Sequence, residues 1–177
     1  MIETGRLTLR GWRDGDATAH RAIVTDPRVA ATLGEPPGSD RSGEVVARQR
    51  AAEAEHGHCF WAAEERATDR LIGWCGLLPA KAPLVGETEI GWTLAADRWG
   101  RGLAHEAALA VLDWAWSRTT LRSIAAITAT RNARSRALME RLGMTRFAAE
   151  DFDHPDLPEG HPLRRHLVYR IVRPDGR

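Results

Sequence analysis

At 177 residues, with 25 Lys plus Arg against 24 Asp plus Glu, the chain has the length of one compact domain over 1–177 and nearly balanced charge. No overall field draws it to nucleic acid or an anionic membrane, and no apolar run nears the roughly 20 residues of a membrane span. The start lacks a signal peptide's apolar stretch, so the expected location is cytoplasmic; Cys59 and Cys75, without C-x-x-C spacing, read as buried free thiols.

Arg6 to Trp12 alternates polar and apolar residues, the period of a half-buried strand. Asp14 and Asp16 offer N-caps for a helix over about Asp16–Thr25, which should stop before Pro27. Pro36 to Ser39 reads as a loop, and Ser39 to His56, free of proline and rich in Ala, Glu and Arg, as a second helix. Cys59–Glu64 and Leu71–Leu78 predict two strands joined by a polar hairpin turn, and Glu87–Leu94 a third. Arg101–Arg118 carries apolar residues at the i, i+4 spacing of a helix buried along one stripe. Leu121–Thr130 is strand-like again, and Arg131–Leu142 a helix ended by Gly143. Strands near Met144–Ala149 and Arg165–Val172 close the chain, with a proline- and acid-rich loop, Glu150–Pro162, between them. The order β-α-α-β-β-β-α-β-α-β-β predicts an α/β (α+β) domain with a mixed sheet.

Between the strand at Glu87–Leu94 and the strand at Leu121–Thr130 the chain must cross over through a helix, which makes the two parallel. The helix begins at Trp99-Gly100-Arg101-Gly102-Leu103-Ala104. Unbonded N–H groups at a helix N-terminus attract anions, and glycine lets a phosphate approach the backbone; a diphosphate fits, as does a plain tight turn. No G-x-x-x-x-G-K-[ST] string is present, which argues against nucleoside triphosphates. A dinucleotide fingerprint is disfavoured too, because His105 stands at the third glycine position and no ribose-binding acid follows the next strand.

The turn together with Asn132-Ala133-Arg134-Ser135 and Met139-Glu140-Arg141-Leu142-Gly143-Met144 resembles the GCN5-related N-acetyltransferases, nearest to the branch acting on ribosomal-protein N-termini. The similarity runs over nearly the whole chain, with Trp99 where the family's loop starts with Gln or Arg. The resemblance implies a mixed, mostly antiparallel twisted sheet of about seven strands with about four helices, in which two central parallel strands splay to admit acyl-CoA. It implies acetyl-CoA as co-substrate with no metal, held by Trp92, Thr93 and Leu94, by Trp99, Gly100, Arg101, Gly102, Leu103, Ala104 and His105, and by Asn132 and Ser135. Trp92 N–H is then placed to stabilise an oxyanion. Asn132 reads both as helix N-cap and as a cofactor contact. Many relatives carry a tyrosine acid where this chain has Met139; Ser135 is the candidate substitute, or a residue that only bonds the cofactor or the backbone.

An amine attacks only when neutral, so a base must take its proton. Glu87 and Glu89 share a sheet face by their i, i+2 spacing; Glu89 is the preferred candidate for the base, against the alternative that it is an exposed strand residue or an arginine's partner. Asp151, Asp153 and His154 form a second set. His105 and Glu106 read as serving the helix dipole or the phosphates. The acidic loop Glu150–Pro162 either rims a site for a cationic amine or is an ordered loop partnered by Arg164 and Arg165. His56, His58 and Cys59 do not make a metal site, since neighbouring strand residues face opposite ways. Of the seven tryptophans most are expected in the core, with one or two lining the acceptor groove. The function expected is direct acetyl transfer to a primary amine, a protein N-terminus or a small molecule, by a monomer or homodimer with no nucleic-acid or membrane partner. The alternatives are a non-catalytic acyl-CoA sensor, suggested by Met139, and a dinucleotide oxidoreductase.

Overall fold

The computed structural model describes residues 1–33 and 41–174. The expected loop at Pro36 to Ser39 and the start of the second helix at Ser39 lie outside them. The elements in order are β1 Ile2–Glu3, β2 Leu7–Arg10, α1 Asp16–Val24, α2 Pro27–Leu33, α3 Ser42–His56, β3 Phe60–Glu65, β4 Arg70–Pro79 and β5 Thr88–Leu94. Then follow α4 Leu103–Arg118, β6 Ser123–Ala129, α5 Ala133–Arg141, β7 Thr145–Arg146, β8 Phe152–Asp153 and β9 Arg165–Val172. The strands form one sheet in the order β1-β2-β3-β4-β5-β6-β9-β7, with β8 also on β9. Every pairing is antiparallel except β5 with β6.

The mixed, mostly antiparallel sheet and the parallel pair are as expected, but nine strands and five helices stand among the described residues where about seven and four were expected. β1 and β8 are two residues long, too short to show a period. α2 was missed because Pro27 signals an end to the residues before it and equally a beginning at its own position, where its missing N–H costs nothing. The expected aspartate caps of α1 are absent too: its N-cap is Gly15, with no side-chain bond. Asp16 is instead buried against Arg10, accepting hydrogen bonds at 2.7 and 3.0 Å, and Arg10 also bonds Glu64. This ionic triad fixes α1 to β2 and β3, because each charge, taken out of water, is met by another.

Two layers cover the sheet's two faces. α4 buries Leu103, Ala107, Ala108, Val111, Leu112 and Ala115. The ring of Trp114 on α4 meets that of Trp61 on β3 edge-on at 4.9 Å, so α4 lies over the face Trp61 presents. The opposite face is covered by α1, whose His20 stacks on Trp74 of β4 at 5.0 Å. Cys59 and Cys75 are free and buried, as expected. Among the described residues no helix is long and apolar enough to cross a membrane.

Candidate active site

The site forms where two parallel strands come apart. β5 pairs with β4 from Thr88 to Leu94, and β6 with β9 from Ser123 to Ala129, but β5 and β6 share one bridge, Glu89 with Ala125. In an antiparallel ladder successive residues turn their N–H and C=O to alternate sides. Ala95 N–H donates to the Ile72 carbonyl on the β4 side, so Trp92 and Leu94 turn their peptide groups towards β6. Thr130 N–H donates to the Arg165 carbonyl on the β9 side, so Ile127 and Ala129 turn theirs towards β5. Past Glu89 the two rows face each other across a gap, which opens into a cavity of about 840 Å³. The Leu94 carbonyl accepts the Trp99 indole N–H at 2.8 Å, while the peptide of Trp92 faces the gap.

Below the gap lies the glycine turn. Gly100 and Gly102 have φ of 73° and 76°, a backbone region that side chains disfavour. The first bond of α4 runs from Glu106 N–H to the Gly102 carbonyl. The amides of Leu103, Ala104 and His105 therefore have no acceptor within the helix, at the positive end of its dipole. A Cβ placed on Gly100 meets nothing within 4 Å, leaving room for a ligand against the main chain. The turn is braced by the residue just before β2: Arg6 donates to the Arg101 carbonyl at 2.9 Å and to Glu106 at 2.6 Å. Glu106 also accepts from Thr4 and the Arg6 amide. Burial opposes its ionisation, but these donors hold its carboxyl below the usual range. Glu106 is thus a brace as well as a dipole partner.

Of the residues expected at the cofactor, Trp92, Thr93, Leu94, Trp99, Gly100, Gly102, Leu103, Ala104, His105, Asn132 and Ser135 all line this cavity. Arg101 does not; its side chain reaches towards Glu65 at 3.5 Å. Asn132 caps α5, its Oδ1 accepting Ser135 N–H at 3.1 Å, which leaves the side-chain amide nitrogen unconstrained by the cap. The Ser135 hydroxyl has no partner among the described residues. Met139, buried in the cavity wall, offers no proton there. The Arg134 guanidinium lies over the Trp99 ring at 4.8 Å, at the same mouth.

The two carboxylates of β5's leading edge have opposite fates. Glu87 accepts from Arg170 with both oxygens at 2.7 Å, and that guanidinium holds its carboxyl below the usual range. Glu89 lines the cavity with no hydrogen bond or ion pair to a described residue. Its surface is partly open to the cavity, yet enough protein surrounds it to push its pKa up to about 7, a rise that the charge of Lys81 only partly opposes.

The late loop does not join the site. Glu150 pairs with Arg170 at 2.6 Å, Asp151 with Arg146 at 2.5 Å, and Asp153 with Arg164 and Arg165 at 3.6 and 3.4 Å. None of its acids lines the cavity, and neither does His154. This matches the reading of an ordered loop neutralised by arginines. The His154 ring instead lies tilted, at 4.9 Å, beside that of His166, a β9 residue that does line the cavity and that sequence reasoning missed. The i, i+2 run His166, Val168, Arg170 on β9 was the available signal, but it becomes meaningful only once Ala129 is known to oppose His166. Burial pushes the His166 pKa down, so the ring is neutral near pH 7. Phe60, Trp74, Thr32 and Leu33 also line the cavity; of the tryptophans, Trp74, Trp92 and Trp99 do so, while Trp12, Trp61 and Trp116 are core.

The chain's relatives agree with this geometry. The acetyltransferase (GNAT) domain family matches residues 6–145. An acetyltransferase structure from Agrobacterium tumefaciens str. C58 is 32% identical, covers 96% of this chain and 92% of its own, and superposes with a TM-score of 0.76. The ribosomal-protein-S5-alanine acetyltransferase from Vibrio fischeri has the same fold at 15% identity, with 99% and 98% coverage and a TM-score of 0.78. So does a spermidine N-acetyltransferase from Vibrio cholerae in complex with CoA and spermine, at 18% identity, 96% and 97% coverage and a TM-score of 0.74. With splayed parallel strands, an open helix N-terminus and a family match over most of its length, the chain belongs to the GNAT family of N-acetyltransferases.

Proposed function

We propose that the chain, as one domain over 1–177, moves an acetyl group from acetyl-CoA to a primary amine by direct attack while both are bound. The observation that carries this reading is the β5–β6 pairing that stops after one bridge, directly above a helix N-terminus with unbonded amides. The residues fit the co-substrate: the space over Gly100 admits a pyrophosphate to the main chain, and the row of peptide groups at Trp92 suits an amide-bearing arm lying between the strands. When bound, acetyl-CoA supplies a thioester whose acyl carbon is open to a nucleophile.

The amides from Gly100 to His105 bind the two phosphoryl groups. Trp92 N–H donates to the thioester oxygen, on which negative charge grows as the amine adds. Glu89, with a pKa near neutrality, takes the proton that the amine loses as its lone pair forms the new C–N bond. The C–S bond breaks with its electron pair on sulfur, and the Ser135 hydroxyl donates the proton that completes the thiol, recovering one from water. That last step is undemanding, since a thiol pKa near 8.5 makes the thiolate a tolerable leaving group. Holding the two reactants in line supplies most of the rate.

The test is calorimetry of the purified, ligand-free chain with acetyl-CoA, followed by thiol release with a panel of amines. Saturable heat and amine-dependent release support the reading. No heat at millimolar acetyl-CoA sinks it, and binding without release from any amine class makes the chain a sensor instead.

A further inference from the structure

The cavity's two sides differ in chemistry. On the side of α4 and α5, Arg98, Arg134, Arg141 and His105 line it, as befits a ligand with phosphoryl groups. The opposite sheet face is different. Phe60 opposes Gly76, which opposes Gly91, and Trp74 opposes Thr93, so by strand alternation Phe60, Trp74, Gly91, Thr93 and Glu89 project to one side. A Cβ at Gly91 falls 2.7 Å from the Phe60 ring, so the absence of a side chain there is what lets that ring lie against β5 beside Glu89. Trp74 is backed by His20, stacked at 5.0 Å, with Trp12 6.4 Å away, and so presents a fixed aromatic wall.

Charge on this face is sparse. Glu89 is the sole carboxylate among the described residues that line the cavity. The nearby hydroxyls are occupied, Thr32 donating to the Val29 carbonyl at 2.7 Å and Thr93 to the Trp92 carbonyl at 2.9 Å. His166 presents Nδ1 to the Arg164 carbonyl at 3.0 Å. Of the late loop's acids, Glu150, Asp151 and Asp153 are paired with arginines, and none of the loop's acids lines the cavity.

From this distribution we infer that the acceptor is a compact monoamine with an aromatic or branched apolar body, an inference that rests on the acyl-transfer reading above. Its single ammonium is met by Glu89 and its body by Phe60 and Trp74. A second ammonium would meet no further carboxylate among the described residues that line the cavity, and an unpaired charge in such a site is strongly disfavoured. The spermidine enzyme of the same fold therefore shares the scaffold with this chain and not its acceptor.

The experiment compares 2-phenylethylamine with 1,5-diaminopentane and spermidine in thiol release by the full chain at saturating acetyl-CoA, with calorimetry of acetyl-CoA run alongside. The monoamine is expected to show a kcat/KM at least about tenfold higher than either polyamine. Phe60→Ala and, separately, Trp74→Leu should shrink that ratio towards one. Equal or faster turnover of a polyamine overturns the inference, and so does the absence of turnover with all three amines when acetyl-CoA binds; in both cases the cofactor reading stands. Absence of acetyl-CoA heat overturns the acyl-transfer reading itself, and the inference with it.

Discussion

The turn at Gly100 to His105 and the loop from Glu150 to Arg165 are both dense in polar groups, and they have been built to opposite ends. In the turn, main-chain amides are left without acceptors within the helix at its N-terminus, and the carboxylate of Glu106 is drawn away to Thr4 and Arg6. In the loop, Glu150, Asp151 and Asp153 each meet an arginine. Polar groups that are already satisfied contribute to holding the chain together, whereas unsatisfied ones facing a cavity are available to a ligand. The same contrast is repeated over two residues of sequence by Glu87, clamped by Arg170, and Glu89, which has no partner among the described residues.

The sharpest way to break this comparison is Glu89→Gln. If the unpartnered carboxylate is the base, kcat falls by about 100-fold or more. Wild-type rate should decline as pH drops through about 7, where Glu89 takes up a proton, and the variant should lose that dependence. The same residue makes a prediction about stability. Its folded pKa lies above the ordinary carboxyl value, so its favourable contribution is complete below about pH 4.5 and is lost as pH rises through about 7. Glu89→Gln should accordingly be more stable than wild type at pH 8, by at most about 3 kcal/mol, and no more stable at pH 4, as read by denaturant titration at each pH. A rate-limiting base that raised stability at both pH values on removal would contradict this account.

Gly102→Val tests the other open element. It forces a side chain into left-handed backbone, where the strain is about 1–2 kcal/mol, and moves the amides at the start of α4. The KM for acetyl-CoA should rise about tenfold, with a smaller effect on kcat, in steady-state kinetics. Ser135→Ala should lower kcat by less than about tenfold, because the thiolate leaves readily without help; a larger loss would promote the hydroxyl to an essential acid. The smallest effect belongs to the paired loop. Asp153→Asn, at an exposed ion pair, should leave kcat/KM within about twofold and the pH profile unchanged. A substantial change there would erase the distinction between the two regions.

Local signals carried much of this protein. Local patterning located β2, β3, β4, β5, β6 and β9 with no end off by more than about two residues, and the apolar stripe of α4 and the glycine-ended α5 stood out for the same reason: periodicity and end residues are properties of neighbours in sequence. The glycine turn and the Asn132 cap were legible too, because φ above zero and capping are demanded at single positions. Elements of two residues, such as β1 and β8, had no period to read, and Pro27 was read only as an end and not as a beginning.

What the sequence by itself determined is the inventory: a mixed sheet, a helical crossover after β5, an anion-binding turn, and a short set of acids able to act as a base. Only the tertiary structure decided which of these groups were left open. Glu87 and Glu89 are indistinguishable by spacing, and it is Arg170, 83 residues beyond Glu87, that neutralises one of them. His166, Phe60 and Trp74 join the cavity through strand register, and the gap itself exists because the β5–β6 pairing ends after Glu89. Partnership and burial depend on residues brought together from distant parts of the chain, and so do the pKa values that follow from them.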